Sequence, residues 1–192
     1  LEIINEMKLI FVWLKNWLKY PLVLGAVLPT QKFASDLMAS DVNSELGTVV
    51  ELGAGTGQIT QSILNKGIKE EDLILVEINK EFSKILKEKF PKAQIYSEDV
   101  ISFLEKFQKR FNRKIDLIIS GIPLVSLNKK TRDKLCEISV ENLSESGKFF
   151  QITYFIRCSF SKEVIKKYNL SKKLNGFTPF NVPPAFIWKI YK

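Results

Sequence analysis

Histidine is absent from this chain of 192 residues, and cysteine occurs only twice. Without histidine the chain lacks the commonest general base, the usual Ser–His and Cys–His nucleophile pairs, and the commonest metal ligand. The two cysteines, Cys136 and Cys158, have no metal-ligand spacing, and we interpret them as reduced thiols of an intracellular protein. Metal-dependent hydrolysis and triad chemistry are therefore disfavoured, and no metal site is expected.

Acidic residues are also outnumbered, with 21 Asp and Glu against 29 Lys and Arg and a net charge of +8. A basic balance favours an anionic partner, and both nucleic acid and an anionic membrane qualify. A lysine-rich solvated surface without a partner is an equal alternative. The length allows one domain with a full core plus an N-terminal extension.

Short apolar runs alternate with longer helix-periodic stretches from Thr48 to Tyr154, an order that predicts βαβ units and a parallel sheet. After a helix and a turn-rich stretch from Asn175 to Pro184, an apolar strand is expected at the end of the chain. Gly147 is expected to form a turn before the fifth strand. The predicted strands are Thr48–Leu52, Leu73–Glu77, Gln94–Ser97, Ile115–Ser120, Lys148–Tyr154 and Ala185–Tyr191. The predicted helices are Gln58–Asn65, Lys80–Phe90, Val100–Lys109, Lys129–Leu143 and Lys162–Tyr168.

The first twenty residues predict an amphipathic helix with one apolar face and lysines on the opposite one. Trp13 lies off the apolar face, and Trp17 adds a second large aromatic ring. Such a helix is suited to lie in an anionic membrane interface, although it is too short and too charged to span a bilayer. A helix that caps the sheet or a cofactor pocket is the alternative.

A glycine-rich turn, Glu51-Leu52-Gly53-Ala54-Gly55-Thr56-Gly57, connects the first predicted strand to the first predicted helix. Glycines there let the backbone approach a nucleotide, and the helix start offers unpaired N–H groups. Glu77 ends the second strand about twenty residues later, where a carboxylate can accept hydrogen bonds from ribose hydroxyls. Asp99 follows the third strand and can meet an adenine amine, or can simply cap the next helix. These residues predict a site for an adenosine-containing ligand.

The turn has one residue between successive glycines, unlike the dinucleotide fingerprint, and Gln58 stands where a P-loop requires lysine. The residues instead resemble motif I of class I S-adenosylmethionine-dependent methyltransferases, with Glu77 and Asp99 matching the acidic positions of the next two motifs. The resemblance implies an α/β fold with a Rossmann-like sheet and helices on both faces. It also implies S-adenosylmethionine as cofactor and S-adenosylhomocysteine as product. The implied cofactor contacts are Thr30, Glu51, Gly53, Ala54, Gly55, Thr56, Gly57, Glu77, Ile78, Asp99, Val100, Ser120 and Gly121.

The segment Ser120-Gly121-Ile122-Pro123-Leu124 resembles the Ser-Gly-Leu-Pro-Leu of bacterial phospholipid N-methyltransferases. Residues 25–30, 151–154 and 181–185 are similar to further segments of that family, so the resemblance runs nearly end to end. It implies methylation of the amine of phosphatidylethanolamine, and of its methylated intermediates, toward phosphatidylcholine. It also implies a methyltransferase domain over residues 32–192, preceded by a membrane-associating and cofactor-covering segment over residues 1–31. We accordingly expect a cytoplasmic protein bound peripherally to the inner face of a bacterial plasma membrane.

Three residues are candidate catalytic residues, and two of them are expected to contact the lipid headgroup. Ser120 lies in the segment expected to line the methyl-transfer region, and Tyr154 and Tyr20 offer a hydroxyl group or a cation–π surface. A core tyrosine at position 154 and an interfacial anchor at position 20 are the alternatives. An RNA adenine N6-dimethyltransferase would also suit motif I and the charge, but that group has asparagine and a stacking aromatic where this chain has Ser120 and Leu124. Nucleic acid is therefore disfavoured as a partner, and a non-catalytic membrane-binding module is a third hypothesis.

Overall fold

The computed structural model describes residues 32–179 and 184–192, which form one seven-stranded sheet with helices on both faces. The strands are β1 Val49–Leu52, β2 Leu73–Val76, β3 Gln94–Tyr96, β4 Ile115–Ser120, β5 Leu143–Thr153, β6 Ser171–Thr178 and β7 Ala185–Tyr191. The helices are α1 Lys32–Met38, α2 Gln58–Leu64, α3 Lys80–Lys89, α4 Val100–Phe111, α5 Lys129–Asn142 and α6 Lys162–Lys167. Single 3₁₀ turns occupy Glu70–Asp72 and Leu124–Ser126.

The strand order across the sheet is β3-β2-β1-β4-β5-β7-β6. Strands β1 to β5 run parallel, and β7 is antiparallel to both β5 and β6. The chain adds β2 and β3 on one side of β1 and then returns to place β4 on the other side. In open α/β sheets this reversal creates a crevice at the carboxyl ends of the two central strands, where ligands bind. The crevice here lies beyond Leu52 and Ser120.

The parallel strands are apolar on both faces because helices cover both faces. Helices α1, α2 and α3 pack on one face, where Met38, Ile63 and Leu86 lie in the same buried cluster as Leu75 and Ile119. Helices α4, α5 and α6 cover the other face with a second buried cluster. Among the described residues, no helix is long and apolar enough to cross a membrane.

The predicted parallel strands and helices are all present, with boundaries that differ by a few residues, apart from the fifth strand. That strand begins at Leu143, five residues earlier than predicted. The prediction of a turn at Gly147 before the strand was therefore wrong. The residues between Leu143 and Lys148 form an irregularity in the pairing with β4, and a side chain at Gly147 would come within 2.9 Å of the Ile115 carbonyl oxygen. The predicted helix over the first twenty residues lies outside the described part of the chain.

Candidate active site

The glycine-rich turn leaves β1 at the crevice and enters α2. Gly53, Gly55 and Gly57 have φ values of 73°, 56° and 86°, in the left-handed region that favours glycine. The N–H groups of Gly53 and Ala54 both donate to the carbonyl oxygen of Val76, at 2.8 Å and 3.3 Å. The turn is therefore fixed to the end of β2, and its backbone is bent in a way that other residue types adopt only under strain.

Glu77 holds this turn from the neighbouring strand. Its two carboxylate oxygens accept hydrogen bonds from the backbone N–H groups of Gly55 and Asn79, each at 2.8 Å. Burial is the largest influence and raises the pKa of Glu77, although the bonds from Asn79 and Gly55 oppose that shift. A carboxylate oxygen has two lone pairs, so each oxygen can still accept a second hydrogen bond from a ligand.

Glu51 is an acidic residue inside an otherwise apolar strand, and its side chain is fully buried. The hydroxyl group of Thr60 on α2 donates to its Oε2 atom at 2.7 Å. Its Oε1 atom has no hydrogen-bond partner among the described residues. Burial, with a smaller contribution from the charge of Glu77, raises the pKa of Glu51 to about 8, and the Thr60 bond only partly opposes this. A ligand that donates to Oε1 would satisfy an otherwise costly buried acceptor.

Three further predicted cofactor contacts lie at the ends of β2 and β3. Ile78 follows Glu77 and is 60% exposed, so its side chain offers an apolar surface beside the turn. Asp99 caps α4, since its Oδ1 atom accepts from the N–H groups of Ile101 and Ser102, both at 3.0 Å. Val100 is the first residue of that helix and is half-buried. Asp99 therefore caps the helix, which was the alternative role expected for it. Its contact with an adenine amine stays a prediction.

The segment after β4 contacts the glycine-rich turn across the crevice. The N–H group of Gly121 donates to the carbonyl oxygen of Leu52 at 2.9 Å, and a side chain at Gly53 would come within 2.9 Å of Ile122. Ser120 is fully buried, and its hydroxyl oxygen accepts from the Ile122 N–H group at 3.4 Å. Its side chain therefore bonds within the segment after β4, and its predicted role in the methyl-transfer region stays a prediction.

Gln151 on β5 is a site residue to which the sequence reasoning gave no role. Its amide nitrogen donates to the carbonyl oxygen of Ile122 at 2.8 Å, and its side chain is fully buried beside Ser120, its partner on β4. The bond fixes the carbonyl group that follows Gly121. A lone amide among the apolar residues of a central strand was the available signal, because a buried amide requires partners.

Tyr154 follows the end of β5 and is half-buried against the cluster on the α1 side of the sheet. Burial raises the pKa of Tyr154 to about 12, so its phenol is neutral at physiological pH and can donate a hydrogen bond without acting as a base. Tyr20, the other tyrosine predicted to contact the headgroup, and Thr30, a predicted cofactor contact, lie outside the described residues.

A family model of the methyltransferase small domain matches residues 30–179. The chain belongs to this family. The matched range contains the glycine-rich turn, both buried glutamates and the segment after β4.

The methyltransferase is also similar to individual proteins. It is 28% identical over 185 residues to an ornithine lipid N-methyltransferase from Singulisphaera acidiphila, covering 93% of this chain and 94% of that protein. A magnesium protoporphyrin IX methyltransferase from Synechocystis PCC 6803, solved with bound S-adenosylmethionine, has a TM-score of 0.61 at 11% identity, covering 83% of this chain and 78% of that one. A ribosomal protein L11 methylase from Lactobacillus delbrueckii subsp. bulgaricus has a TM-score of 0.60 at 13% identity, covering 90% and 82%. The two structures confirm the predicted class I fold.

Family membership identifies the chain as an S-adenosylmethionine-dependent methyltransferase, and the residues of the site fit that cofactor. No atom of the described residues lies within 4 Å of the position that a side chain on Gly55 would take, so none of them fills the space in front of the turn. The unpartnered Oε1 atom of Glu51 and the remaining lone pairs of Glu77 offer acceptors to the donor groups of an amino acid and a ribose. The cofactor supplies an electrophilic methyl group on a sulfonium. Among the described residues, no group of three or more His, Cys, Asp and Glu side chains could hold a metal ion.

The raised pKa of Glu51 makes the stability of the cofactor-free methyltransferase depend on pH. Between the ordinary value of 4.5 and about 8, the folded chain keeps the Glu51 proton and the unfolded chain loses it. The free energy of unfolding therefore falls as the pH rises through this window. Glu51→Gln removes the titration, so the variant should gain on the order of 3 to 5 kcal/mol relative to the wild type between about pH 5 and pH 8.

Urea unfolding of both proteins at the two pH values, without cofactor, measures this difference. Other titrating groups are common to the two proteins and cancel in the comparison. A wild-type minus variant difference that is the same at both pH values would show that Glu51 is ionised in the folded state throughout.

Proposed function

We propose that this chain transfers methyl groups to the primary amine of a membrane lipid headgroup, with phosphatidylethanolamine as the acceptor. The observation that carries the proposal is the similarity to a lipid N-methyltransferase over 93% of the chain and 94% of the relative. The Ser120 to Leu124 segment supports it, because it resembles bacterial phospholipid N-methyltransferases at the strand end nearest the cofactor turn.

Ornithine lipid is the second candidate acceptor, because the relative is named for it. Ethanolamine and ornithine both present a primary amine at the end of a short flexible chain. They differ in the anionic group nearby, a phosphodiester in one and a carboxylate in the other. Both lipids therefore suit the same amine-methylating chemistry.

Amine methylation requires a neutral nitrogen held in line with the sulfonium methyl group, at about 3 to 3.5 Å. An alkylammonium has a pKa of about 10 and must first lose a proton. The chain has no histidine that could act as the base, and Tyr154 is a neutral phenol that cannot act as one at neutral pH. We infer that water takes the proton and that the chain's own contribution is positioning, through the backbone of residues 120–123 and the clamp on the Ile122 carbonyl group by Gln151.

The test is methyl transfer from radiolabelled S-adenosylmethionine to three acceptors: phosphatidylethanolamine vesicles, ornithine lipid vesicles and unmodified ribosomal RNA. We expect label in phosphatidylethanolamine. Label in ornithine lipid alone would identify ornithine lipid as the acceptor in place of phosphatidylethanolamine, and the proposed reaction would still be methylation of a lipid amine. Label in RNA alone would overturn the proposal, and cofactor binding without label in any acceptor would contradict it as well.

A further inference from the structure

Large apolar side chains are exposed together at the carboxyl edge of the sheet. Phe155 and Ile156, directly after β5, are 61% and 66% exposed, and Phe177 on β6 is 49% exposed. Phe177 pairs with Phe186 on β7, and Phe186 pairs with Thr153 at the end of β5. The three exposed side chains, which we call the edge cluster, therefore lie at the same end of the sheet. Single exposed apolar residues are ordinary, whereas a group of them marks an interaction surface.

The edge cluster opens on the same side of the molecule as the cofactor site. The glycine-rich turn, Glu77 and the segment after β4 all follow the carboxyl ends of parallel strands. Tyr154 connects the end of β5 to Phe155, and Val125, just beyond β4, adds a further side chain that is 36% exposed. A surface that contacts this edge therefore comes close to the methyl-transfer region.

Taken together, the segments beside the edge cluster are basic. Residues 121–134 contain four Lys and Arg and one acid, residues 154–163 contain two basic residues and one acid, and residues 174–179 contain no charge. Both acids, Asp133 and Glu163, lie near Lys129, at 3.2 Å and 3.9 Å from its ammonium nitrogen. The exposed cations Lys130 and Arg157 add to an apolar edge with a positive rim.

We propose that the edge cluster is a membrane-docking surface that inserts into the headgroup and acyl boundary of an anionic lipid bilayer. The proposal rests on the proposed function, since a headgroup amine anchored in a bilayer reaches the site only if this edge faces the bilayer. Apolar side chains beside cations match the chemistry of that boundary, where rings and aliphatic groups enter the first several ångströms and cations meet lipid phosphates. A protein partner would not offer the positive rim the lipid phosphates that an anionic bilayer offers it.

The decisive variant is Phe155→Ser/Ile156→Ser in the full chain, with Leu174→Ser as matched control. Leu174 is 39% exposed on β6 but pairs with Trp188, which pairs with Gln151, four residues before Phe155. In flotation with vesicles containing an anionic lipid, the double variant should lose about 10- to 100-fold in vesicle affinity, and the control should bind as the wild type does. Wild-type vesicle affinity in the double variant would overturn the proposal.

Activity separates this inference from the proposed function. On amino lipid in vesicles the double variant should lose about the same factor as in flotation, and on a short-chain, monomeric amino lipid it should match the wild type. A wild type that methylates no amino lipid would overturn the proposed function, and flotation would still test the edge cluster. If the wild type self-associates without vesicles and the double variant is monomeric with full vesicle affinity, the surface is a contact between copies and the proposal is wrong.

Discussion

Glu77→Gln should lower the affinity for S-adenosylmethionine by about 100- to 1000-fold while the protein stays folded. The carboxylate of Glu77 accepts from the backbone N–H groups of Gly55 and Asn79. A carboxamide has only one acceptor oxygen, so its NH₂ group would face one of those donors. The substitution thus weakens the ligand contact and loosens the turn that presents it. Isothermal titration calorimetry with the cofactor measures the loss.

Glu88→Gln is the matched control, because Glu88 is an exposed acid on α3. The substitution makes the same change of charge as Glu77→Gln. It should bind the cofactor with wild-type affinity. Circular dichroism and the unfolding midpoint establish that Glu77→Gln is folded before its affinity is measured. Undiminished affinity in a folded Glu77→Gln protein would contradict the assignment of Glu77 to the cofactor site.

The parallel half of the fold could be predicted because its signals are local. Strands such as Leu73–Val76 are continuous apolar runs, which occur where helices cover both faces of a sheet. The glycines of the turn mark a backbone that other residues adopt only under strain, and all three have positive φ. Each of these features is carried by the residues themselves and requires no knowledge of their distant neighbours.

The antiparallel edge was harder to predict. Strand β6 was not predicted, since most of its residues are exposed and Asn175 and Gly176 are typical of a turn. It is a strand because its backbone pairs with β7 along its length, an interaction that the side chains of β6 do not encode. Helix α1 was missed too, because its seven residues are too few to establish a helical period.

The contacts of the site residues depend on pairs that are distant in the sequence. Glu51 was predicted to lie near the cofactor, but its bond to Thr60 and its unpartnered oxygen follow from how α2 packs on β1. Gln151 reaches the Ile122 carbonyl group across 29 positions, so the residues around Gln151 indicate that its amide needs a partner but not which partner it has. Sequence motifs therefore predicted which residues surround the cofactor site, and the tertiary structure determined what each side chain bonds.

Two alanine substitutions in the same turn should rank in opposite order for the loss of stability and for the loss of cofactor affinity. Both Gly55 and Gly57 have positive φ, so each alanine carries a backbone penalty of about 1 to 2 kcal/mol. A side chain on Gly57 would also collide with a ring carbon of the buried Phe90, and one on Gly55 would meet no atom of the described residues within 4 Å. Gly57→Ala should therefore lower the free energy of unfolding by about 2 to 5 kcal/mol, and Gly55→Ala by about 1 to 2 kcal/mol.

For cofactor affinity we expect the reverse order, with the larger loss in Gly55→Ala. The added methyl group at position 55 projects into the space in front of the turn, next to the N–H group that donates to Glu77. Gly55→Ala should therefore weaken cofactor binding by about 10-fold or more, a loss of at least about 1.4 kcal/mol. Gly57→Ala, measured at a temperature where it is fully folded, should bind more tightly than Gly55→Ala, because its new methyl group points toward α3 and Phe90. Equal losses of affinity in the two variants would show that only the shape of the turn matters, whereas the predicted separation would locate the ligand on the Gly55 side.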